Sequence, residues 1–240
     1  YDDFATALYE GETALTLVSY ATGDANKDIV KTKLEFDRNA TITLDMGGCT
    51  LENSQGGATV TVARGTLTVK GDATIEQTGS GESASSAISV TGGTLIFDGN
   101  LTATGASGKP AVEVTNGTLR LKAGDVLNGG VSVTSGTVVD LLGENLAFAK
   151  KDATSTIVKG DVTSITGDVT VVAHTHSFTL NSGKYTCACG YTCPHNDFED
   201  GKCTICGNGC AHTSVGDDGV CRNCKTQMLV KIENGGTVTY

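Results

Sequence analysis

From residue 58 to residue 141 the apolar side chains recur in a fixed pattern around glycine. Four segments superpose on it: ATVTVARGTLTV (58–69), AISVTGGTLIF (87–97), AVEVTNGTLRL (111–121) and GVSVTSGTVVDL (130–141). Counted back from Gly65, Gly93, Gly117 and Gly136, aliphatic residues stand five and three positions earlier. They are Val60 and Val62, Ile88 and Val90, Val112 and Val114, and Val131 and Val133. A threonine follows each glycine (Thr66, Thr94, Thr118, Thr137), and then comes Leu67, Leu95, Leu119 or Val138. Residues two apart on a strand share a face, so each segment reads as a strand, a bend and a second strand with one buried row on either side of the bend. Thr61, Ser89, Glu113 and Ser132 fall between the aliphatics, on the solvated face.

Successive glycines are 28, 24 and 19 residues apart. Irregular repeats of this length predict a solenoid whose coils bury their inward aliphatics against one another. A parallel β-helix over residues 34–173 is therefore expected. LEFDRNATITLDMGGCTLEN (34–53) reads as an earlier coil, and GDVTSITGDVTVV (160–172) as a degraded last one. An antiparallel sandwich of short strands is the competing architecture. Solenoid ends need covering, and Phe4, Ala7 and Leu8 stand at helical spacing behind acidic residues, so residues 1–33 are expected to form an N-terminal cap that includes a short helix.

Composition supports the all-β reading: of 240 residues, 32 are Gly, 2 are Pro and none is Trp. The net charge of −10 disfavours nucleic acid, anionic lipid and polyanionic glycans as partners, because no local run of Lys and Arg offsets it. No apolar stretch approaches the roughly 18–20 residues of a membrane-spanning helix, so no membrane insertion is expected in this segment. The chain starts Tyr1-Asp2-Asp3, without an initiator, and reads as a monomeric fragment of a larger chain.

Residues 174–226 have a different chemistry. Cys193-x-His195 is followed by Cys203-x-x-Cys206, and Cys210-x-His212 by Cys221-x-x-Cys224. An altered copy precedes them, His174-x-His176 followed by Cys187-x-Cys189. Three quartets use all 4 histidines and 8 of the 9 cysteines. Zinc takes four such ligands tetrahedrally, and a close pair delivers two donors to one ion. Gly190 and Gly207 follow the last cysteine of their pairs, where a residue tolerant of positive φ lets the chain turn. Units of about 17 residues cannot bury a core, and metal binding would supply the missing folding free energy. Disulfides are the alternative for clustered extracellular cysteines, but they give no reason for every histidine to keep register with them. Up to three structural zinc ions are expected, with pair exchange between neighbouring units left open by the spacing. Cys49 reads as a small buried core residue.

A site with four protein ligands has no open position for substrate, so its role is structural. Elsewhere, ATGASGKPA (103–111) lacks the first glycine and the last hydroxyl residue of a phosphate loop, and no histidine precedes residue 174 to build a triad. The acidic NDFED and GDD stretches lack the alternating ligands of a calcium loop and read as solvated turns. Carboxylate pairs for a glycan-active site are available from different coils, for example among Asp98, Glu113, Asp125 and Asp140, as in any acidic β-sheet.

The glycine-threonine coils together with CPHNDFEDGKCTICG resemble cell-surface proteins of Gram-positive bacteria, particularly gut anaerobes, which combine right-handed parallel β-helices with CxH…GxCxxCG repeats. The resemblance implies an extracellular or cell-wall protein suspected of adhesion, its partner a host or bacterial glycan or a surface protein. It also implies ligand roles for Cys193, His195, Cys203, Cys206, Cys210, His212, Cys221 and Cys224. The first quartet departs from the pattern, with His174 in place of a cysteine and CxC in place of CxxC. The expected function is a non-enzymatic structural or adhesive module, and the alternative is a polysaccharide-binding or polysaccharide-active β-helix. The tail MLVKIENGGTVTY returns to strand periodicity, so residues 227–240 are expected to begin a further strand or module joined through a rigid zinc connector.

Overall fold

The computed structural model describes residues 12–16, 29–134, 138–139, 145–158, 164–193, 195, 197–210, 212, 215–222, 224–225, 232–234 and 237–239. Among them, regular structure is strand throughout apart from one 3₁₀ turn, Gly81–Ser83. The chain divides into two compact units, Tyr1–Thr175 and His176–Tyr240.

The first unit is a parallel β-solenoid of about four coils. Its first face stacks the start of Leu34–Asp45 on the start of Val60–Lys70, then on Ile88–Val90, Val112–Val114 and Gly130–Val133, all parallel. The two long strands bend and continue into a second face, which stacks them on Thr94–Phe97, Thr118–Arg120 and Val138–Val139. A third face runs Ile29–Lys31, Thr50–Asn53, Ala73–Gln77, Leu101–Thr104 and Val126–Asn128. Parallel pairing throughout the coils excludes the sandwich.

Register explains the sequence rows. Val60, Ile88, Val112 and Val131 pair rung by rung, as do Val62, Val90, Val114 and Val133. Ile42, Leu67, Leu95 and Leu119 make the row beyond the bend, and Leu51, Ile75, Ala103 and Leu127 line the third face. Nearly all of these are buried. The glycine alignment misses by one residue at the end, where Leu119 pairs with Val139 instead of Val138. Cys49 is buried, its N–H bonded to the Met46 carbonyl at 2.8 Å, which fits a core role.

The two ends are assembled differently from each other. Ala14–Thr16 and Ile29–Lys31 lie parallel on residues 43–45 and 50–52, as pieces of a preceding coil; the helix expected around Phe4, Ala7 and Leu8 lies outside the described residues. The segment read as a degraded last coil instead reverses. Ser164–Thr166 pairs antiparallel with Gly130–Val133, and Val169–Ala173 with Val126–Asn128. Leu146–Lys150 then pairs antiparallel with Val169–Ala173, and Ala153–Ile157 with Leu146–Lys150. Alternating apolar residues satisfy either strand direction, so period alone did not distinguish them.

One carboxylate holds a corner between coils. Asp125 is fully buried, and the backbone N–H groups of Leu101 and Lys122 donate to it at 2.9 and 2.8 Å. Burial raises its pKa, more than those N–H groups and Lys122 lower it. A folded-state pKa above the unfolded one means that ionisation opposes folding, so the withheld stability returns as pH falls through the folded pKa. In denaturant titrations followed by the β-sheet signal, wild type is expected to gain stability over Asp125→Asn from neutral pH to below about 3.9, the free Asp value. A pH-independent difference would contradict this.

Candidate metal centres

Each unit of the second half builds its donors on turns that force two side chains together. In two units the first pair is a Cys-x-His turn whose histidine takes the left-handed conformation, with φ 51° at both His195 and His212. The His212 N–H points back at Cys210 Sγ at 3.4 Å, and the His195 N–H likewise bonds to Cys193. This backbone region is uncommon outside glycine, and histidine is among the residues that tolerate it best. The second pair closes by a backbone bond from the following residue: Gly190 N–H to the Cys187 carbonyl at 2.9 Å, Gly207 to Cys203 at 2.8 Å and Lys225 to Cys221 at 2.9 Å. All three donors have positive φ, of 93°, 68° and 59°. The two glycines were legible as turn residues; the third unit makes the same turn with Lys225.

The turns gather the donors into three groups: His174, His176, Cys187 and Cys189; Cys193, Cys203 and Cys206; and Cys210, His212, Cys221 and Cys224. In each, the candidate ligand atoms all lie within 4.8 Å of one another. The grouping follows the sequence units, with no exchange of pairs between neighbours. Eleven of the twelve expected ligands are so placed. His195 lies outside the middle group, its ring stacked on Tyr185 at 4.7 Å and edge-on to Phe198 at 4.9 Å. Its Nε2 is buried with no hydrogen-bond partner among the described residues.

The spacing of the donors matches a metal polyhedron. An ion bound tetrahedrally to sulfur at about 2.3 Å and to imidazole nitrogen at about 2.0–2.1 Å sets sulfurs about 3.8 Å apart, and sulfur and nitrogen about 3.6 Å apart. Cys193 and Cys203 sulfurs are 3.5 Å apart, and those of Cys210 and Cys221 3.6 Å. Cys189 Sγ stands 3.3 Å from His176 Nδ1, and Cys224 Sγ 3.4 Å from His212 Nδ1. A disulfide would need about 2.05 Å, and none of the nine cysteines forms one.

Burial and crowding hold three of these thiols in the neutral form unless an ion is bound. Burial and neighbouring thiols push Cys189 and Cys210 up to about 11, and Cys193 up to about 12. At Cys203 burial acts in the same direction, but the N–H groups of Cys206 and Ile205 and the adjacent thiols outweigh it and lower its pKa. Crowded thiols resist ionising together, and a bound dication reverses that preference.

Aromatic residues surround two of the imidazoles, a feature that ligand spacing alone does not reveal. His176 stacks with Phe178 at 5.8 Å and meets Tyr191 edge-on at 5.4 Å, while Tyr185 and Phe198 enclose His195. The usable signal was an aromatic two or three positions after each of these histidines, and a tyrosine on either side of Cys187-x-Cys189.

Among the four carboxylates considered for glycan chemistry, Asp125 is committed to backbone bonds and Asp140 lies outside the described residues. Glu113 lines a cleft of about 690 Å³ beside residues 105–110, together with Lys109 and Asp168. The acidic turn near residue 218 is closed locally, the Val220 N–H donating to Asp218 Oδ1 at 3.0 Å. In the tail, Ile232–Asn234 and Thr237–Thr239 pair antiparallel with each other, as a hairpin and not as a parallel coil. Comparison of the chain with protein-family models, curated proteins and solved structures finds no match.

Proposed function

We propose that this chain is a non-enzymatic structural module of an extracellular bacterial surface protein, a β-solenoid followed by an array of three units, each folded around a structural zinc ion. One observation carries the structural role. Beyond residue 176, every buried hydrophobic residue among those described is a cysteine: Cys187, Cys189, Cys193, Cys203, Cys210 and Cys221. The larger apolar side chains Leu180, Ile205 and Val215 are exposed by 62%, 40% and 39%. A segment without an apolar core folds when something else supplies the free energy, and structural zinc sites do so outright. The donor sets of the outer groups, two sulfurs and two nitrogens in the first and three sulfurs and one nitrogen in the last, suit zinc and leave no position for substrate.

His195 completes the middle site in this reading. Its φ of 51° and its N–H to Cys193 reproduce His212, a ligand candidate in the next unit. Adhesion through a glycan or a surface protein is the role proposed for the solenoid. Binding of a glycan along it is the second reading, and the polar cleft lined by Lys109, Glu113 and Asp168 favours it.

Metal content tests the zinc reading directly. Protein purified under reducing conditions is expected to carry close to three zinc ions per chain by elemental analysis, falling by one in Cys221→Ser/Cys224→Ser. Two in the unaltered chain would remove one site, and zero with oxidised thiols would restore the disulfide alternative.

A further inference from the structure

The first and middle sites share their packing, and the last does not. Tyr185 belongs to the hairpin of Phe178–Asn181 and Lys184–Cys187, which carries the cysteine pair of the first site. Its ring nevertheless stacks on His195 of the middle unit at 4.7 Å, and its carbonyl accepts the Cys193 N–H at 2.8 Å. The reverse contact also exists. Tyr191, which leads into Cys193, places its ring edge-on to His176 at 5.4 Å, and its carbonyl accepts the Cys187 N–H at 2.8 Å. A bridge between Thr186 and Thr192 ties the two tyrosine segments together. Each imidazole is thus held by an aromatic side chain from the other site's segment. Between the middle and last units the described links are one bridge, Lys202 to Gly209, and one bond, Cys203 N–H to the Asn208 carbonyl at 2.9 Å; no aromatic ring is described on His212.

We propose that the first and middle sites load as a coupled pair through Tyr185 and Tyr191, while the last site fills independently. This rests on the zinc reading above. Closing the first site around Cys187 and Cys189 fixes the strand that carries Tyr185, whose carbonyl holds the Cys193 N–H and whose ring packs on the middle unit, so the middle site is already partly assembled when the second ion arrives. Closing the middle site around Cys193 fixes Tyr191 against His176 in the same way. Linkage makes the effect reciprocal: whatever factor the first ion adds to the affinity for the second, the second adds for the first. Coupling of this kind is worth roughly 5- to 150-fold. Two aromatic contacts and two backbone bonds place it near the lower end, about tenfold.

The test uses the full chain with the last site removed by Cys221→Ser/Cys224→Ser, stripped of metal under reducing conditions and titrated with zinc under native mass spectrometry. Two independent sites, equal or unequal, leave at least about one half of the chains singly loaded at half saturation, whereas tenfold coupling lowers this to about one quarter. A fraction well below one half is expected, rising in Tyr185→Leu/Tyr191→Leu and staying low in Tyr185→Phe/Tyr191→Phe, which keeps both rings. The solenoid's far-ultraviolet signal reports that each variant is folded. A singly loaded fraction that the leucine pair leaves unchanged overturns the coupling and leaves the metal sites standing. A chain that takes up no zinc overturns both.

Discussion

Removing metal with a strong chelator is expected to unfold residues 174–226 while the solenoid keeps its sheet. The opposing terms are unequal in the two units. The solenoid core buries rows of large side chains, among them Leu34, Phe36, Leu44, Leu67, Leu95 and Leu119, each at or near 0–1% exposure. Burying such a side chain stabilises by about 1.5–3 kcal/mol, before the entropy cost of ordering the chain. The array has cysteines in place of this core, and its hairpins are too short to be stable by themselves. A structural zinc site contributes about 10–16 kcal/mol in small metal-folded peptides, which exceeds what the remaining contacts supply. Hydrogen exchange read by peptide is the suitable measurement: protection should vanish across the array and persist in residues 60–128. Loss of protection in both regions, or in neither, would contradict the account.

Replacing Gly93 by valine is expected to destabilise the solenoid by about 3 kcal/mol or more, by adding backbone strain to overpacking. Gly93 has φ +81°, and an added Cβ would stand 2.5 Å from the Gly65 carbonyl oxygen and 2.7 Å from the Arg64 carbonyl carbon. The same corner repeats above and below: a Cβ at Gly65 would meet the Arg38 oxygen at 2.1 Å, and one at Gly117 the Gly93 oxygen at 2.4 Å. These neighbours are backbone atoms of the adjacent coil, so only separating the coils relieves the clash, and separation breaks the ladder on every face. Gly108 supplies the control. It has φ +76° with nothing within 4 Å of an added Cβ, so Gly108→Val carries the strain term alone, about 1–2 kcal/mol. Equal losses for the two variants in urea denaturation would remove coil-to-coil interlock as the reason for the repeat.

The glycines show why so much of the solenoid was readable. Gly65, Gly93 and Gly117 recur because each coil repeats one corner at which no side chain fits, so a three-dimensional constraint is written locally in every repeat. The aliphatic rows are likewise local, since a strand's period places them whatever lies next to it. Asp125 shows the limit. Its burial is set by the N–H of Leu101, 24 residues away, and nothing in the local sequence separates it from exposed Asp72, which occupies the same Gly-Asp corner of an earlier coil. The one-residue shift to Val139 and the reversal of residues 164–173 have the same origin, because pairing partner and direction are properties of two strands and not of one.

The cysteine array divides in the same way. By itself the sequence determined that every histidine keeps register with the cysteine pairs, because ligand pairs are short-range features of one turn. Only the tertiary structure decided that each group draws its donors from a single unit, that His195 stands apart from its three cysteines, and that Tyr185 and Tyr191 cross between units. Those facts depend on how successive turns pack, and spacing along the chain carries no information about packing between segments that are free to fold back on one another.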